Sequence, residues 1–161
     1  MSCKLIVVLI AMTVLLLGCA GSHHQPAERS ADVERGRYVI EIMGCNDCHT
    51  PNYMGSGSAL PEEDWLVGGD LGFHGPWGTA YPSNLRLLLN NISEDDWLVL
   101  ARQMRQDSPM SWVRLPKATE RDLRAVYRIV KYLGPKGIPA PASLPAGVVP
   151  KTDYIEFPEP H

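Results

Sequence analysis

Cys45-Asn46-Asp47-Cys48-His49 sets two thiols and an imidazole within one short stretch of chain. The spacing suits covalent attachment of a haem. Each thiol can add to one vinyl group of the same porphyrin, and the imidazole that follows can ligate the iron. Such a group constrains the fold as much as the chemistry, because the rest of the chain must wrap it. Aromatic residues are only 7% of the sequence, a thin supply for a small core. A buried macrocycle would add on the order of 10 kcal/mol of apolar burial at ~25 cal/mol per Å². Two other uses of C-x-x-C fit less well. Zinc needs four ligands, and no second Cys or Cys/His pair stands at ligand spacing. A thioredoxin-like site needs a strand-helix-strand setting, whereas the flanks here read as helix and loop.

The amino-terminal residues 1–18 read as a signal peptide. Lys4 precedes an apolar run from Leu5 to Leu17, shorter than the roughly 20 residues a membrane-spanning helix requires. Leu16-Leu17-Gly18-Cys19 resembles the lipobox of bacterial lipoprotein precursors. The resemblance implies that Cys19 is lipidated and becomes the first mature residue. An ordinary secretory signal with a coincidental cysteine is the alternative. Cys3 leaves with the signal, Cys19 takes lipid, and Cys45 and Cys48 take haem, so no thiol remains for a disulfide. Export is also what covalent haem attachment requires in bacteria. Residues 19–30 are polar and aperiodic, a flexible tether.

Residues 31–134 form the expected domain. Asp32 can cap a helix that runs to about Met43, and Gly44 stops it. Thr50 to Leu85 is long and rich in Gly and Pro. Its Trp65, Leu66, Phe73, Trp77 and Tyr81 argue that it packs around the haem edge, with one short helix near Glu62 to Leu66. Ser93 caps a second helix, with Glu94, Asp95 and Asp96 at its positive end and an apolar face of Trp97, Leu100, Ala101 and Met104. Thr119 caps a third, with Asp122 at the capping-box position and a stripe of Leu123, Val126, Tyr127, Val130 and Leu133. Gly134-Pro135 ends it. The fold class is therefore mostly α, a small domain of three main helices and long Gly/Pro-rich loops around a covalent haem. Residues 135–161 read as an extended, partly polyproline II tail. A free end is favoured. Tyr154, Ile155 and Phe157 keep open a strap over the domain or a docking arm.

His49 supplies one axial ligand, and the other decides between electron carrier and reactive site. Met43, Met54, Met104, Met110 and His74 are the candidates. Met43 and Met54 lie close to the proximal attachment side, and Met104 is explained by core packing. Met110 follows the helix-breaking Pro109 in a loop far from His49 in sequence, which lets a thioether cross the distal face. Met110 is the expected sixth ligand and His74 the second choice. A thioether favours reduced iron, and filling both axial positions shuts out substrates.

Taken together, these segments resemble a class I c-type cytochrome in a bacterial lipoprotein form. The likeness spans about Asp32 to Gly134: an entry helix, the Cys45–His49 pentad, a Gly-rich loop, Pro109-Met110 and a closing amphipathic helix. It implies that the first and last helices cross at a small residue, with Gly36 against the Ala125–Tyr127 region. Leu66-Val67-Gly68-Gly69 and Trp77-Gly78-Thr79-Ala80-Tyr81-Pro82-Ser83-Asn84-Leu85 are similar to segments of cytochromes that serve membrane-bound dehydrogenases. Those relatives carry Pro-Met-Pro-Trp where this chain has Pro109-Met110-Ser111-Trp112. The narrower resemblance implies that Tyr81 and Asn84 hydrogen-bond a haem propionate and that Trp112 packs near the distal edge. Turn chemistry around Pro82 is an equal reading of Tyr81 and Asn84. Trp77 reads as pocket wall.

The net charge of −3 argues against nucleic acid as a partner. Arg121, Arg124, Arg128 and Lys131 form a basic stripe, read first as a solvated face and second as a docking site for an acidic partner or anionic lipid. The function implied is electron transfer by one haem c, anchored by lipid and facing the bacterial periplasm. The redox partners implied are a dehydrogenase, an oxidase or other cytochromes, and the chain itself is not expected to be an enzyme. The alternatives are a haem enzyme or sensor with an exchangeable sixth ligand, or an assembly subunit. Carbon monoxide binding to the reduced protein separates the carrier from the exchangeable site.

Overall fold

The computed structural model describes residues 30–57, 59–103 and 115–157. Among these, five helices and a three-stranded sheet form. Helix α1 is Ala31–Met43 and leads into the short α2, Cys45–His49. A 3-10 turn follows at Glu62–Asp64, then strands β1, Gly72–Gly75, and β2, Gly78–Ala80. Helix α3 is Leu85–Leu88, α4 is Glu94–Arg102 and α5 is Glu120–Leu133. Strand β3, Tyr154–Glu156, comes last. No helix of the described residues is long and apolar enough to cross a membrane.

The helix ends obey their local chemistry. Ser93 accepts from the Asp96 backbone N–H, and the Asp96 carboxylate returns to the Ser93 backbone, a complete capping box. Thr119 caps α5 through the Asp122 backbone N–H. Its hydroxyl also donates to the Asp122 carboxylate at 2.7 Å. That bond, with the Arg35 pair, holds Asp122 below the usual carboxylate pKa. The depressed pKa contributes stability above the ordinary carboxylate range, and that contribution fades as pH falls through the lowered value. At α1 the cap is Ser30, two residues before the expected Asp32. The Ser30 hydroxyl takes the Val33 N–H, which leaves Asp32 in the first turn where its charge favours the helix dipole.

Helices α1 and α5 cross with their backbones nearly touching. A Cβ at Gly36 would lie 2.2 Å from the Ala125 carbonyl oxygen. Only glycine permits that approach, and Gly36 meets the Ala125 region as the resemblance implies. Val33, Val39 and Ile40 from α1 then pack against Leu123, Val126, Ile129 and Val130 of α5, with Trp97 and Ala101 of α4 in the same core. Trp97 Nε1 donates to the Leu123 carbonyl at 2.8 Å, so its indole is buried without an orphan donor.

The basic stripe of α5 meets partners within the fold. Arg124 pairs with Glu120, Asp95 and Glu94, and Arg128 pairs with Asp32 and Glu94. Arg35 of α1 reaches Asp122 at 2.6 Å. These ion pairs link α1, α4 and α5 across the surface, so Arg124 and Arg128 are not a free docking patch.

The sheet is the main departure from the expected architecture. β1 and β2 form an antiparallel hairpin inside the segment read as a loop around the haem edge. β3 adds in parallel to the other side of β1. Residues 135–157 are thus a strap, not the free tail that composition favoured. The bridge of Thr79 with Leu144 is made twice over, N–H to O in both directions at 2.9 Å. Phe157 packs against Phe73 and Trp77, and Tyr154 against His74. An extended Pro-rich segment loses little further freedom when it pairs at a sheet edge, which lets a few bonds and rings hold it.

Gly36 gives the packing account a clear sign. In an exposed helix, Gly→Ala would stabilise by about 1 kcal/mol through propensity. At this crossing, Gly36→Ala should instead destabilise by about 1–3 kcal/mol, because backbone cannot move aside as a side chain can. Denaturant midpoints of the two proteins measure the difference, and a stabilised variant contradicts the crossing.

Candidate functional site

The pentad forms α2, entered through Gly44 in the left-handed conformation, φ 67°. Gly44 closes α1 and opens α2, so the chain changes direction at a single left-handed residue. On α2, Cys45, Cys48 and His49 stand at i, i+3 and i+4, which is one helical face. Cys45 is partly buried and Cys48 is exposed. Burial pushes the Cys45 thiol up to about 12, and burial with the nearby Asp47 charge raises Cys48 as well. Redox-active C-x-x-C pairs depend on lowered thiol pKa values, the opposite direction to the shift at Cys45 and Cys48. Among the described residues, no group of three or more His, Cys, Asp or Glu side chains is arranged to hold a metal ion.

His49 is buried, and its Nδ1 lies 2.7 Å from the Ser83 carbonyl oxygen. A carbonyl can only accept, so Nδ1 carries the hydrogen. Burial lowers the ring's pKa, with the Ser83 bond opposing, and a neutral ring leaves Nε2 with a lone pair. The imidazole is fixed in tautomer and orientation by its own fold, as metal-bound histidines are. The residues present therefore suit a c-type haem: two thiols for the vinyl groups and one oriented imidazole for the iron.

Three backbone segments enclose His49. Gly68 N–H donates to the His49 carbonyl at 2.8 Å, and Gly69 N–H to the Pro82 carbonyl at 3.2 Å. Thr50 Oγ1 accepts from Leu66 N–H at 2.8 Å and donates to Asn46 Oδ1 at 2.7 Å. Asn46 is 1% exposed, and its Nδ2 has no hydrogen-bond partner among the described residues. Leu66, fully buried, holds φ 62°, a strained value for a branched side chain that tightly packed surroundings must enforce. Gly68 at φ 75° packs so closely that a Cβ would lie 2.6 Å from Asn84 N and 2.8 Å from the Pro82 carbonyl. The Leu66–Gly69 and Tyr81–Leu85 motifs are thus two halves of one structure built around the histidine.

The side chains expected to contact a propionate have protein partners. Asn84 caps α3, its Oδ1 accepting from Leu87 N–H at 2.9 Å. Its Nδ2 donates to the Lys136 and Ile138 carbonyls at 2.8 and 3.0 Å. Both amide hydrogens are engaged, so a propionate contact through them would require one bond to be given up. Tyr81 Oη and Thr152 Oγ1 lie 3.0 Å apart. His74 lies on β1, with Nδ1 2.8 Å from Thr79 Oγ1 and its ring edge-on to Tyr154. Trp77 stacks on Phe157 and donates to the Phe73 carbonyl at 3.2 Å. Met43 packs against the core, and Met54 is largely exposed. Met110, Trp112, Met104 and Cys19 lie outside the described residues.

Arg86 is the residue that sequence reasoning passed over. It is 3% exposed, and its guanidinium donates to the backbone carbonyls of Glu63, Leu133 and Gly134. It joins the end of α5, the 3-10 turn and α3, just beyond the Ser83 turn. Burial lowers its pKa, with the Asp64 charge opposing. Nothing in its local sequence marks it, because its partners are backbone atoms distant in the chain.

Comparison of the chain with protein-family models, with curated proteins and with solved structures returns no match.

Adjacent glycines test the enclosure. Gly68→Ala meets both a positive φ and a backbone collision, and should destabilise the protein by about 1–3 kcal/mol. At Gly69 a Cβ meets nothing within 4 Å, so Gly69→Ala should stay within about 0.5 kcal/mol of the parent. Equal effects in denaturant titrations would contradict the packing described.

Proposed function

We propose that this protein carries one covalent haem c and works as a single-haem electron carrier. Cys45 and Cys48 hold the haem, His49 is the proximal iron ligand and Met110 the distal one. Each thiol would add across one vinyl group, sulfur to one carbon and hydrogen to the other, which needs no oxidant. The observation that carries this reading is His49, which is buried beside the two thiols with its hydrogen committed to Ser83, leaving Nε2 as the iron-facing donor.

When bound, the haem supplies a one-electron couple between ferric and ferrous iron. The protein's residues keep the ligands still. His49 is held by Ser83, and the Ser83 turn is held by Gly69, Asn84 and Arg86. A fixed His49 would help keep the ligand geometry similar in both oxidation states, which would favour exchange of electrons over binding of substrates. The class I c-type cytochrome resemblance belongs to this proposal, as does lipid attachment at Cys19 facing the periplasm. Its partners would be a dehydrogenase or quinol-oxidising complex as donor, and an oxidase or another cytochrome as acceptor. Redox partners of this kind meet through small, wet, short-lived interfaces.

Expression in a bacterium with haem-attachment machinery, followed by intact mass and optical spectra, tests the proposal. One covalent haem per chain is expected, low-spin, with a weak far-red sulfur-to-iron band and no carbon monoxide binding in the reduced form. Met110→Leu should abolish that band and open the iron to carbon monoxide. A high-spin parent that binds carbon monoxide readily would favour the enzyme or sensor, and a chain without covalent haem would overturn the carrier reading.

A further inference from the structure

The strap and the Ser83 turn share one side chain. Asn84 follows Ser83, the residue whose carbonyl orients His49. Its Oδ1 caps α3, and its two amide hydrogens reach the strap at Lys136 and Ile138. Asn84 is 4% exposed, so the donor end of these bonds is shielded from water while Lys136 and Ile138 lie at the surface. Gly137 lies between the two acceptors at φ 81°, and a Cβ there would sit 3.1 Å from Asn84 Nδ2. The strap thus bends around the amide with its carbonyls on either side.

Further bonds run from the strap to the segment leading into the turn. Thr152 meets Tyr81, Leu144 meets Thr79, Asp153 accepts from Gly72 N–H at 2.8 Å, and Phe157 N–H donates to the His74 carbonyl at 2.7 Å. A Cβ at Gly78 would lie 2.1 Å from the Leu144 carbonyl, so the bridge is made at backbone contact. Lys136 is also tied, to the Glu63 carbonyl at 3.0 Å and Asp64 at 2.6 Å. The strap therefore has anchors on both sides of the turn at Tyr81–Asn84.

We infer that Asn84 is a positioning residue for His49, and that the carboxy-terminal strap, clamped on Asn84, sets the strength of the Ser83–His49 bond. The inference rests on the haem reading above. Donation from Nδ1–H to a carbonyl makes the imidazole more electron-rich at Nε2, which favours ferric iron. Loosening the turn weakens that donation and favours ferrous iron.

Asn84→Ser separates the two duties of the side chain. A serine still caps α3, but it cannot reach the strap with two N–H donors. In the haem-loaded full chain, Asn84→Ser should shift the ferrous-to-ferric ratio at fixed ambient potential toward ferrous by on the order of tenfold. Tenfold corresponds to about 59 mV for a one-electron couple. Hydrogen exchange at the His49 Nδ1–H should quicken as well. Thr152→Val changes no residue of the turn and removes only the strap's bond to Tyr81. It should move the potential the same way by a smaller factor, and it decides the matter if Asn84→Ser does not load haem. A wild-type chain without haem overturns the carrier reading and this inference with it. A haem-loaded parent overturns this inference alone if neither variant moves the potential or the His49 exchange. The strap is then a brace for the sheet only.

Discussion

The hydrogen bond from His49 Nδ1 to the Ser83 carbonyl is the interaction on which the rest of the site turns. It fixes which nitrogen is bare, where it points and which side of α2 the chain must enclose. Making it demands that the turn before α3 lie against the pentad. Backbone must then pass within contact distance of backbone, and that is where Gly68 and the strained Leu66 are found. The strain at Leu66 persists because its N–H is held by Thr50 and its carbonyl by the Arg86 backbone N–H.

Two layers of support lie outside that contact. The α1–α5 crossing at Gly36 places α1, and hence α2 directly after it, against a closing helix that is buried along one face. Arg86 then ties the end of α5 to the 3-10 turn and α3, so the closing helix and the Ser83 turn are joined through one buried guanidinium. Hydrogen bonds to a charged group are worth about 1.5–3 kcal/mol where burial is deep. The surface ion pairs of Arg124 and Arg128 add little by comparison, because water screens them.

Much of this was legible where the signal is local. The caps at Ser93 and Thr119, the glycine stops at Gly44 and Gly134 and the stripe of α5 follow from side-chain chemistry within a turn. Ala125 and Ile129, both buried, complete that stripe on the side that meets α1, where a small residue at the crossing conceals the periodicity. The hairpin and strap were not legible, because backbone hydrogen bonds specify them and leave no residue pattern. β3 is exposed along its whole length, so its sequence shows no alternation to read. Asn84 reads equally as a propionate contact or as turn chemistry around Pro82. Its capping role is local, but its grip on Lys136 and Ile138 depends on a distant return of the chain. Met110 and Trp112, proposed for the distal face, lie outside the described residues and rest on the sequence.

The most direct measurement is the tautomer of His49 in the reduced, haem-loaded protein, read by nuclear magnetic resonance with nitrogen-15-labelled histidine. The account predicts a hydrogen on Nδ1 that exchanges slowly with solvent and lies close in space to Ser83 and Asn84, with Nε2 bearing none. A hydrogen on Nε2, or an Nδ1 hydrogen exchanging as freely as in an exposed ring, would contradict it.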